Sequence, residues 1–194
     1  MLRNVVGIAV ALFAGMLMQA GASSHAEEKT NQHVDDKFDF SLTVPETWKT
    51  ARLQDYTVPG VTRTAYAGNG GASIVVFIQE PGKAFDPRFI IDQSAKSMEE
   101  KLGATVREKE VRTIDGKKAM WLTVEGKGTG GSIDGKGSVK TTQQWLAVPR
   151  EKDIVVVLMT TPTADFEQNE KSFGEAIKSL KVGGSQSEEQ RQSK

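Results

Sequence analysis

The sequence predicts an α+β fold: a largely antiparallel sheet of about seven strands, covered by helices on both faces as an α/β/α sandwich. Three observations carry this expectation. The run Ile154 to Met159 is apolar at every position, so both faces of that strand must be covered; a strand with one wet face would alternate. Two stretches switch to helical spacing, one opening at Asp86 and one running from Asp165 to Val182. The links between strands are short except for one glycine-rich connection, which favours antiparallel neighbours.

In chain order, residues 1–26 read as a signal peptide. Arg3 supplies a positive start, Val5 to Met18 an apolar run, and Ala20-Gly21-Ala22 or Ser24-His25-Ala26 a small-residue cleavage site. The apolar run is shorter than the ~20 residues that span a bilayer, so the expectation is cleavage and export, to the periplasm or beyond the cell. Residues 27–37 are polar and charged and read as a flexible lead-in. A single domain is expected over 38–182 and a disordered tail over 183–194.

Within the domain, Phe38, Phe40, Leu42 and Val44 alternate onto one face, and Pro45 ends that strand. Trp48 follows in a turn, most simply as a plug folded over the sheet edge, and Lys49 to Gly60 reads as irregular. Thr62–Ala67 and Ala72–Gln79 read as strands joined by the Gly68-Asn69-Gly70-Gly71 loop. The first helix has Asp86 as cap, Pro87 in the first helical position and Gly103 as its stop. Its buried stripe is Ile91, Ala95, Met98 and Leu102. Thr105–Ile114 and Lys117–Glu125 flank Asp115-Gly116, a two-residue hairpin signal. After the glycine-rich stretch from Gly126 to Gly137, Val139–Val148 pairs with Ile154–Met159. Phe166, Phe173, Ile177 and Leu180 then form the stripe of the last helix.

Several chemistries are closed to this chain. It has no cysteine, which removes disulfides, thiolate sites and a lipid-modified N-terminal cysteine. Its 25 basic and 25 acidic residues leave no field to draw in nucleic acid. The two histidines, His25 and His33, fall outside the expected domain, so no imidazole triad or metal site can be built inside it. Gly126-Lys127-Gly128-Thr129-Gly130-Gly131 matches a dinucleotide pattern, and Gly130 to Lys136 the first part of a phosphate loop. Such motifs work at a helix N-terminus. Here a strand follows, and Gly137 stands where a Ser or Thr is needed. Lys127 and Lys136 therefore read as a hairpin loop and, with Trp48, form the candidate partner surface. Asp35, Asp36 and Asp39 lie close together without calcium-loop spacing. Trp121 and Trp145 each fall on the face opposite their apolar neighbours, as core residues of a doubly covered sheet.

Phe38-x-Phe-Ser-Leu-x-Val-Pro-x-x-Trp48, the helix capped by Asp86, the Asp115-Gly116 hairpin, the Trp145 strand with its apolar partner, and Ser172-Phe173 to Val182 together resemble the PsbP/Mog1-like superfamily. The resemblance covers about Phe38 to Val182. It implies an antiparallel sheet between helices and a non-enzymatic accessory or binding role, with no cofactor. The partner expected is a protein of the cell envelope, with no lipid anchor and at most peripheral membrane contact. Two alternatives follow from other chemistry. One is a calcium- or manganese-binding extrinsic subunit of a membrane complex, as in photosystem II, although the family's ligand histidines have no counterpart here. The other is a carboxylate-based hydrolase, which requires an acid of raised pKa in a closed pocket.

Overall fold

The computed structural model describes residues 30–52, 61–79, 86–127 and 139–183. The signal segment, residues 184–194 of the tail and most of the glycine-rich connection lie outside these residues. Among the described residues, ten strands and two α-helices follow one another. The first strands are β1 (Thr30–Asp35), β2 (Phe40–Pro45), β3 (Lys49–Thr50), β4 (Val61–Ala67) and β5 (Ser73–Gln79). Helix α1 (Pro87–Leu102) precedes β6 (Thr105–Ile114), β7 (Lys117–Lys127), β8 (Lys140–Pro149) and β9 (Ile154–Pro162). Helix α2 (Phe166–Ser179) and β10 (Lys181–Val182) complete the order.

Seven strands form one sheet in the order β3-β4-β5-β9-β8-β7-β6, and every pair in it is antiparallel. β9 lies at its centre, and Ile154 to Met159 are all buried, as their unbroken apolar run requires. Alternation then divides the side chains between two cores. Phe77, Met120, Leu122, Val124, Trp145 and Val156 pack with Ile91, Ala95 and Met98 of α1 on one face. Ile74, Val76, Trp121, Leu146, Val157 and Met159 pack on the other face with Phe173 and Ile177 of α2. Trp121 and Trp145 thus lie on opposite faces, each within a core.

Local signals set the ends of α1. The Asp86 carboxylate accepts the Arg88 amide at 2.9 Å, Pro87 occupies the first turn, and Gly103 closes the helix in the left-handed region at φ 59°. The β6–β7 hairpin turns through Asp115 and Gly116, both at positive φ (48° and 74°). That is the twist a two-residue loop needs, and Ile114 pairs with Lys117 across it. β6 is the outer edge of the sheet. A register shift between Val106 and Glu108 and a run of charges including Arg107, Lys109 and Glu110 guard that edge.

Three expectations are corrected. Phe38 to Val44 does not enter the large sheet: β2 is the middle of a second, three-stranded sheet in the order β1-β2-β10. That sheet lays Phe40, Leu42 and Val44 onto the face that α2 only partly covers, and one layer therefore combines helix and strands. The flexible lead-in over 27–37 contains a strand. β1 pairs with β2 along its whole length, from Thr30 opposite Pro45 to Asp35 opposite Phe40. Its outward face is wet, so its sequence shows none of the apolar alternation of a core strand. Within the stretch from Lys49 to Gly60, Lys49 and Thr50 pair with β4 as a short edge strand, and residues 53–60 lie outside the described residues.

Candidate functional site

One end of the molecule gathers four chain segments that are far apart in sequence: the β1–β2 turn, the Asp115-Gly116 hairpin, the β8–β9 loop and β10. Arg150 joins them. Its side chain is 5 % exposed, and it grips Asp153 through two nitrogens at 2.6 and 2.8 Å. The same guanidinium donates to the carbonyl oxygens of Phe38 and, at 3.2 Å, Asp39. The loop of the large sheet is thereby tied to the turn of the small one. Asp115 makes the second tie, accepting the Val182 amide at 3.0 Å and facing Lys181 at 3.5 Å. The Val182 amide, then Lys181, hold the Asp115 carboxyl below its ordinary value. The Asp39 carbonyl oxygen accepts the Gly183 amide at 3.0 Å.

Between these ties lies an open cleft of about 180 Å³, lined by Asp36, Asp39, Asp115 and Lys181 over Phe40 and Ser41. Its flank is a mixed cluster. The Asp35 carboxylate caps the turn by accepting the Lys37 and Phe38 amides, each at 3.1 Å, and takes Arg63 Nε at 3.0 Å. The Arg63 guanidinium lies 4.0 Å from the centre of the Phe38 ring. These contacts bear on the metal alternative. Both oxygens of Asp35 are committed, and among the described residues no three His, Asp or Glu side chains gather to hold an ion. The described residues do not fit a calcium or manganese site. Of the described carboxyls, Glu175 is held below its ordinary value by Lys178, as Asp115 is by the Val182 amide.

The residues expected to form a partner surface are not brought together. Trp48 is 5 % exposed and belongs to the core between the two sheets. Gly68 makes room for it: a β-carbon there would stand 2.6 Å from the indole Cε2. Trp48 is thus a buried plug, because a large apolar ring at an open sheet edge gains most by folding inward. Lys127 ends β7 opposite Lys140, at the other end of the sheet from the cleft, and Lys136 lies outside the described residues. The residues that do converge, Arg150, Asp115, Lys181 and Arg63, were missed. Only the Arg150–Asp153 pair had a readable signal, opposite charges three apart in a tight loop.

No family model matches the chain, and no curated protein matches it by sequence. Solved structures do resemble it. The cyanobacterial PsbP (CyanoP) of Synechocystis sp. PCC 6803 is 12 % identical, with a TM-score of 0.58 over 85 % of this chain and 99 % of that one. The Ran-binding protein Mog1p of Saccharomyces cerevisiae is 12 % identical, with a TM-score of 0.54 over 81 % and 97 %. LpqN of Mycobacterium tuberculosis, involved in cell envelope biogenesis, is 11 % identical, with a TM-score of 0.53 over 79 % and 90 %. Identities this low speak to architecture alone. On that ground the chain has the PsbP/Mog1-like fold.

Proposed function

We propose that the protein is an exported, non-enzymatic binding or accessory protein that docks to a protein partner of the cell envelope. The observation that carries this reading is the shared fold with proteins described as Ran-binding or as taking part in envelope biogenesis. The signal-like start of the chain supports the address. The cleft end supports the mode of action, since loops fixed to a rigid sheet by Arg150 and Asp115 present a defined outer surface.

The test is crosslinking of the tagged protein in envelope fractions of its own cells, followed by identification of what it holds. A single protein partner, lost in the charge-reversed Asp36→Lys/Lys181→Glu chain and kept in a Glu167→Lys control, is the expected result. Failure to hold any partner, together with turnover of a substrate by the pure protein, overturns the reading. N-terminal sequencing of the mature protein tests the address separately: the chain should begin at Ser23 or Glu27.

A further inference from the structure

His33 is the titratable side chain with the least evident task. It sits on β1, opposite Leu42, on the face that packs against the large sheet. Its ring centre lies 5.6 Å from that of Phe40, tilted by 36°, and 6.1 Å from that of Tyr66, edge to face. Its Nε2 is buried and has no hydrogen-bond partner. From its own strand it meets Asp35; from β4 it meets Arg63 and Tyr66; β2 presents Phe40 and Leu42. The Asp35 carboxylate is already engaged by Arg63 and by the turn amides it caps.

We propose that His33 makes the docking of β1 sensitive to pH: the strand is held on the domain while the imidazole is neutral and loosens when it takes up a proton. A neutral ring can carry its proton on Nδ1 and leave only a lone pair unmatched at Nε2, whereas an imidazolium is a donor at both nitrogens. The new N–H would point into a buried site lined by rings, without an acceptor and near the Arg63 cation. Desolvation, partly offset by Asp35 and reinforced by Arg63, accordingly holds the His33 pKa below 6.5. The unfolded or undocked strand binds the proton more readily than the docked one. The stabilisation is therefore complete above the ordinary imidazole value and is lost as the pH falls toward the docked value. β1 is the member that can respond, because it is an edge strand held along one side only.

Hydrogen exchange on the full chain tests this. Protection factors of the β1–β2 amides should fall by up to about tenfold between pH 7.5 and 5.5, while those between β7 and β8 stay level. In His33→Phe, which fills the same apolar slot without titrating, the β1–β2 protection should not change over that range. A wild-type chain without the loss, or an equal loss in His33→Phe, overturns the proposal. If the variant does not fold, titration of the His33 ring by NMR in the wild type decides. A midpoint below 6.5 supports the latch, and a midpoint at or above it refutes it.

Discussion

A guanidinium that is 5 % exposed and bonded to one carboxylate and two carbonyl oxygens is hard to replace in part. Arg150→Ala would leave the Asp153 carboxylate and the Phe38 carbonyl without this donor, and the Asp39 carbonyl with the Gly183 amide. Removing one member of a buried pair costs roughly 3–5 kcal/mol, and the partial exposure of Asp153 places this case near 3 kcal/mol. Urea unfolding measures it, and Arg150→Met/Asp153→Leu should be the more stable of the two variants, because it leaves no orphaned charge. Trp121 offers a second test. Its ring is 3 % exposed, lies 5.7 Å from Phe173 under the Arg112 guanidinium, and donates to Glu108 at 2.9 Å. Trp121→Ala should cost about 3–5 kcal/mol by the same measurement. Alternation along β7 was enough to place Trp121 in a core. Alternation could not place Trp48, which lies in a turn where neither strand nor helix periodicity assigns a face.

Elements with local chemistry at their ends could be read from the sequence; elements held by their neighbours could not. α1 carries its own cap, proline and stop, so Asp86→Ala should lower stability by about 1 kcal/mol, visible as a shifted urea midpoint with an unchanged slope. The Asp115-Gly116 hairpin likewise announced itself through residues that tolerate positive φ. Asp115 also carries a load the hairpin signal does not mention, the tie to Val182. Asp115→Asn keeps a residue suited to the turn but removes the charge. Because the folded pKa is depressed, the contribution of Asp115 is present above the ordinary carboxylate value of 3.8 and lost as pH falls through the lower folded value. The stability gap between the two chains should therefore be open at neutral pH and close in strong acid. β1 is the converse case. It owes its existence to the backbone of β2 and to His33 and Asp35 on its inner side, a tertiary cause that a polar six-residue segment does not display.

At the scale of the molecule, the sequence disclosed a doubly covered sheet because coverage is written into residue type, as the run through β9 shows. Which strand sits beside which was not written there, since periodicity assigns a face and never a neighbour. β2 alternates as cleanly as any strand of the large sheet and yet belongs to the small one. The same blindness hid the join of β5 to β9, where Val75 faces Leu158 and Phe77 faces Val156. That join divides the large sheet into two meanders, β3-β4-β5 and β6-β7-β8-β9, each built from neighbours in the chain. Loop closure favours near contacts over far ones, so each meander can zip along its own turns, while the seam must wait for a search across α1 and three strands. Changes inside either meander, as in β8 against β7, should then slow refolding, and changes confined to the β5–β9 contact should mainly hasten unfolding.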